Sequence, residues 1–249
     1  MMDTKVNVHK VKVEGTELYY EYIDKSNNNL TIVFDSGFGW ELGNWQPIRE
    51  DVSKFANMFM YDRANVGKSE DTIQNKHSEQ NIVNLRNLLQ KVEIKPPYIL
   101  VGHSYGGVNV RLYANTYPEE VAGVILIDSC HEDQNKKMVP LWTKELQEDY
   151  YSGFQFESSL SEFEESLKQV RTVKSLGNIP LTVVTGGTQP HHTPEAWAYW
   201  MTFQKDLAKL SSNSKHIIVD DAGHAVHVDN PKAVTKVIKE MVDEVKNSL

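Results

Sequence analysis

Five short, nearly continuous apolar runs dominate the chain: Leu30–Phe34, Met58–Tyr61, Tyr98–Val101, Val121–Ile127 and Leu181–Thr185. Each is closed at its carboxyl end by glycine or aspartate. An apolar run of this length with no polar alternation is buried on both faces, which is the signature of a parallel strand. Helical patterns lie between the runs. Residues 45–55 suggest a helix, and Ile82, Leu85, Leu88, Leu89 and Val92 recur at helical spacing within 79–92. A further helical stretch follows Ser104 to about Tyr117. His216–Val219 adds a strand, and Asn230-Pro231 opens a last helix, as an N-cap followed by proline at the first helical position. At the amino end, residues 5–13 and 16–23 flank Glu14-Gly15 and read as a β-hairpin, with a polar turn at Asp24 to Asn29. Strands alternating with helices predict an α/β fold with a mostly parallel central sheet and helices on both faces.

One interval breaks this rhythm. About fifty residues separate the run at 121–127 from that at 181–185, far more than one crossover helix needs. They carry Trp142, Tyr150, Tyr151, Phe154, Phe156 and Phe163. The expectation is a core in two parts, 1–128 and 179–249, interrupted by a helical cap at 129–178. The net charge of −8 argues against a nucleic-acid or anionic-membrane binder, both of which need basic surface. A single cysteine, Cys130, excludes an internal disulfide and reads as a small buried thiol. No apolar run approaches a membrane span, and the first thirteen residues lack the apolar core of a signal peptide, so a cytoplasmic protein is expected.

Gly102-His103-Ser104-Tyr105-Gly106 sits between an apolar run and a helix. In that setting Gly-x-Ser-x-Gly builds a sharp turn that lifts the serine hydroxyl above the sheet edge, at the positive end of a helix. A hydroxyl needs a base. His224, in Asp221-Ala222-Gly223-His224, follows the strand at 216–219 and reaches the same sheet end; His227 and His131 compete with it. His103 adjoins the serine and points away. His191-His192 reads as solvated loop, with no metal implied. An acid must orient the imidazole. The loop after 181–185, Gly186-Gly187-Thr188-Gln189, contains none. Asp128, at the end of the run 121–127, is favoured, with Glu195 and Glu132 as alternatives. Two N–H groups must meet a developing oxyanion; Tyr105 and Phe38, the latter in Ser36-Gly37-Phe38-Gly39, are the candidates.

Taken together, Ser104, Asp128 and His224 in that order, the glycine loop at 36–39 and Tyr61-Asp62-Arg63-Ala64-Asn65-Val66-Gly67-Lys68-Ser69 resemble the α/β-hydrolase fold family. The resemblance implies a serine hydrolase acting on a small carboxylic ester or lactone through an acyl-enzyme, with no cofactor and a small-molecule substrate as partner. It assigns Asp62-Arg63 to bracing loops. Serine at the nucleophile position disfavours the branches that use aspartate there. Ser36-Gly37 replaces the His-Gly of many relatives, which removes a usual brace of the oxyanion loop. Trp40, Trp45, Trp197, Tyr199 and Trp200, with the cap aromatics, are candidates for a substrate pocket. An aminopeptidase-like hydrolase, or a ligand-binding or signalling protein on the same scaffold, are the alternatives.

Overall fold

The computed structural model describes residues 5–25 and 30–248; the end of the polar turn expected at 24–29 lies outside them. The hairpin forms from β1 (Lys5–Val13) and β2 (Thr16–Asp24). The buried runs become β3 (Thr31–Asp35), β4 (Asn57–Tyr61), β5 (Tyr98–His103), β6 (Val121–Ile127) and β7 (Leu181–Gly186), with β8 (Ser214–Val219) at the far edge. The helices are α1 (Gln46–Ser53), α2 (Ser78–Lys91), α3 (Tyr105–Thr116), α4 (Gln134–Lys137), α5 (Lys144–Ser152), α6 (Leu160–Val170), α7 (Pro194–Ala208), α8 (Val226–Asp229) and α9 (Pro231–Ser248). Of these, α4, α5 and α6 intervene between β6 and β7. None of the described helices is long and apolar enough to cross a membrane.

The eight strands pair in the order β1-β2-β4-β3-β5-β6-β7-β8. β2 pairs antiparallel with β1 and β4, and every other pairing is parallel. Strand side chains alternate between two cores. Val33, Phe59, Leu100, Leu126 and Val183 pack with α2, α3 and α6 on one face. Ile32, Met58, Val101, Ile127 and Val184 pack with α1 and α9 on the other. In α9 the buried positions Val234, Val237, Ile238, Met241, Val242 and Val245 form one stripe, and the Asn230 Oδ1 caps its start by accepting the Ala233 N–H at 3.0 Å.

Strand order sets where a ligand can sit. From β3 the chain crosses to β4 on one side and then returns to β5 on the other. The helices therefore diverge at the carboxyl ends of β3 and β5 and leave a crevice there. The loop at 36–39 leaves β3 at this crevice, and Ser104 leaves β5 beside it.

Candidate active site

Ser104 occupies the bend between β5 and α3 with φ 52° and ψ −116°, a conformation that costs a non-glycine residue on the order of 1–3 kcal/mol. The surroundings hold it there. Its N–H donates to the Ile127 carbonyl at 3.0 Å, and its own carbonyl accepts the N–H groups of Gly107 and Cys130, each at 3.0 Å. Gly106 is required by space: a Cβ there would lie 2.1 Å from the Asp35 carbonyl oxygen.

Asp128, also at positive φ (43°), is fully buried at the end of β6. Its Oδ1 accepts the Gly186 N–H at 3.1 Å and the Trp200 indole N–H at 3.1 Å; its Oδ2 accepts the Gln189 amide at 2.7 Å. The fourth partner of this carboxylate is His224, whose Nδ1 lies 2.7 Å from Oδ2. The end of β7 and the loop after it, which contain no acid, instead supply two of the donors that hold the carboxylate at the end of the preceding strand.

The other candidates are engaged elsewhere. Glu195 is exposed in the first turn of α7, and Glu132 bonds the Arg111 guanidinium at 3.1 Å. His131 stacks on Phe203 at 4.3 Å between ring centres. His227 is buried against Trp45 and His103, with neither ring nitrogen hydrogen-bonded among the described residues; burial, then the nearby His224, push its pKa down to about 3. His103 Nε2 sits 3.0 Å from the His224 carbonyl oxygen. A carbonyl only accepts, so this nitrogen carries the proton and tethers the loop of His224.

Ser104 and His224 line one cavity of about 270 Å³. Most of its wall is apolar or aromatic, including Met138, Trp142, Leu146, Tyr150 and Trp200. Of the aromatics expected to form a pocket, Trp45 is instead buried in the core and Trp40 is exposed beside His103. His191 is exposed on its loop as expected, whereas His192 is half-buried; both border this cavity, and burial is the main cause of a His192 pKa lowered to about 4. The Ser104 Oγ contacts the Cys130 Sγ at 3.5 Å. Burial pushes that thiol up to about 11, against the Ser104 hydrogen bond, so it is protonated at neutral pH.

The loop at 36–39 faces the serine, and a Cβ on Gly37 would stand 3.5 Å from that of Ser104. Among the described residues neither the Phe38 nor the Tyr105 N–H donates to a protein acceptor. The brace missing from Ser36 comes from elsewhere. Trp45 Nε1 donates to the Ser36 Oγ at 2.9 Å, and Arg63 donates to the carbonyls of Ser36 and Gly37 at 2.7 and 2.8 Å. Asp62 holds the adjoining turns by accepting the Leu42 and Lys68 N–H groups at 2.7 and 2.9 Å.

Residues 31–165 match the family model described as the alpha/beta hydrolase fold. The chain belongs to the α/β-hydrolase family. This hydrolase is 30% identical over 212 residues to the uncharacterized protein YqjL of Bacillus subtilis (strain 168), covering 84% of this chain and 82% of that one. A thermophilic esterase from Thermogutta terrifontis superposes with a TM-score of 0.69 at 18% identity, over 96% of this chain and 99% of its own. The enol-lactonase from Burkholderia xenovorans LB400 does so with a TM-score of 0.70 at 19% identity, over 94% and 100%. At such identities the two structures share the fold.

Proposed function

We propose that this α/β hydrolase is a serine hydrolase that cleaves small carboxylic esters or lactones through an acyl-enzyme. The 2.7 Å pairing of His224 Nδ1 with the buried Asp128 carboxylate, on the wall of the cavity that Ser104 also lines, carries this reading. With Nδ1 held as the donor, Nε2 is the basic nitrogen. The Ser104 hydroxyl rests on the Cys130 sulfur, a weak partner, and the reading requires it to turn to the His224 Nε2, a tightening that substrate commonly brings.

Nε2 takes the hydroxyl proton as Oγ attacks the carbonyl carbon, and the carbonyl electron pair moves onto oxygen. The unpartnered N–H groups of Phe38 and Tyr105 receive that charge. Collapse breaks the ester bond, and the leaving alkoxide takes the proton from His224; in a lactone it stays tethered to the acyl group. Water then attacks the acyl-serine, gives a proton to His224, and Ser104 recovers it as the acid departs. The aromatic wall and the modest volume favour small, apolar acyl or alcohol groups. The esterase and lactonase that share the fold are consistent with such substrates. Asp149 on the same wall is an acid that could meet a substrate ammonium, the one observation favouring aminoacyl substrates.

A fluorophosphonate probe is expected to label Ser104, located by peptide mass, and Ser104→Ala is expected to keep the fold while abolishing turnover of p-nitrophenyl butyrate. A panel of ester, lactone and aminoacyl substrates ranks the classes. Absence of labelling and turnover would reject the reading in favour of a binding protein.

A further inference from the structure

Glu157 lies in the segment between α5 and α6, yet it is 1% exposed and reaches the sheet edge. Its Oε1 accepts Arg63 Nε at 2.6 Å; its Oε2 accepts Arg63 Nη2 at 2.8 Å and the Gly39 N–H at 2.7 Å. Arg63 spends its remaining N–H groups on Asp35 and on the carbonyls of Ser36 and Gly37. Every donor of this buried guanidinium is thereby satisfied. Asp35 in turn accepts the Tyr61 hydroxyl at 2.6 Å.

Peptide planarity turns these bonds into control of one N–H group. The Gly37 carbonyl and the Phe38 N–H belong to one plane and point in opposite directions. Arg63 fixes the first and so aims the second away from itself. The next plane contains the Gly39 N–H, which Glu157 holds. Both planes flanking the Phe38 Cα are pinned, one by Arg63 directly and the other by Glu157. Asp35 ends β3 and Arg63 follows β4; Glu157 is the member of the cluster that arrives from the inserted segment. The Cβ of Phe156, its neighbour, borders the same loop, where a Cβ on Gly39 would meet it at 3.4 Å.

We propose that Glu157 is a positioning residue that sets the Phe38 N–H for the oxyanion, so that the oxyanion loop is in register only when the 153–159 segment is seated on it. This inference rests on the serine-hydrolase reading above. Its effect belongs to the transition state, because the oxyanion exists only there.

The test is Glu157→Gln, assayed on p-nitrophenyl butyrate with active sites counted by end-point fluorophosphonate labelling. The expected result is kcat per labelled site lower by about 10- to 100-fold, at or below the roughly 100-fold cost of misplacing a group by 1 Å because the N–H is loosened and not removed, with KM within about twofold. Affinity for a trifluoromethyl ketone, which forms a tetrahedral oxyanion, falls in parallel with kcat. Unchanged kcat per site, or a loss confined to KM, overturns the proposal. If Glu157→Gln does not fold, Asn65→Gly serves instead. Asn65 Nδ2 donates to the Glu157 carbonyl at 3.1 Å, and its φ of 64° suits glycine. That variant is expected to lower kcat about threefold or more at constant KM, and wild-type kcat would overturn the proposal. Wild-type enzyme that neither labels nor turns over ester rejects the serine-hydrolase reading itself, and this inference with it; an active wild type with an indifferent Glu157 rejects only the inference.

Discussion

Asp128→Asn separates the charge of the acid from its shape. The carboxylate receives N–H donors on both oxygens, Gly186 and Trp200 on one, Gln189 and His224 on the other. Asparagine has one acceptor oxygen, so its amide must face one of these pairs. Gly186 and Trp200 cannot invert their donors, and the amide oxygen therefore takes their side. The amide nitrogen then faces Gln189 and His224, which can both adapt. Gln189 flips to present its oxygen, and His224 moves its proton to Nε2 so that Nδ1 accepts. The fold survives, at a cost of about 1–3 kcal/mol for the altered buried bonds. The base does not, because Nε2 now carries a proton and the imidazolium has lost its buried counter-charge. A wrong tautomer of this kind lowers kcat by about 10⁴-fold in the serine-protease triad, or about 5 kcal/mol of barrier. Turnover of p-nitrophenyl butyrate at pH 7.5, read beside a thermal melt, measures both effects. A correctly folded Asp128→Asn enzyme with kcat within tenfold of wild type would refute the reasoning.

Two further outcomes follow from strain and burial. Ser104→Gly relieves the φ 52° conformation, so the variant is expected to be inactive yet melt higher, by about 2–4 °C for each kcal/mol relieved in a chain of this size; a lower melting temperature would contradict the strain. His227 is neutral when folded, with a pKa near 3 against 6.5 for the free side chain. Below pH 6.5 the unfolded chain gains a proton that the folded one refuses, so this contribution is full above pH 6.5 and lost as pH falls toward 3. At about 1.4 kcal/mol per pH unit, His227→Leu is expected to shrink the urea-unfolding difference between pH 7 and pH 5 by about 2 kcal/mol; an unchanged difference would assign the acid sensitivity to other groups.

The architecture was legible because parallel strands bury both faces: β3 to β7 appear in the sequence as nearly continuous apolar runs, and α9 as a stripe with its cap. The bend at Ser104 was legible because only a strand–turn–helix setting gives Gly-x-Ser-x-Gly that geometry. His224 and Asp128 stood out by position, each in a loop leaving the same sheet end. What surrounds them was not. Gln189 and Trp200 approach Asp128 from loop and helix across more than sixty residues of chain, and no local pattern records such an approach. Glu157 is one acid among several in the inserted segment, and its neighbours Gln155 and Phe156 are exposed, so nothing local marks it as buried. Aromatic content likewise could not separate Trp142 and Tyr150, which line the cavity, from Trp45, which fills the core.

The thiol beside Ser104 has a practical consequence for inhibitor profiling. With its pKa near 11, Cys130 is ionised in only about one molecule in 10⁴ at pH 7, and alkylating agents will reach it slowly. Once attached, any adduct would be carried on a sulfur 3.5 Å from the serine oxygen and would crowd it. Slow inactivation by iodoacetamide would therefore report crowding at the serine, and should not be taken as the mark of a cysteine enzyme.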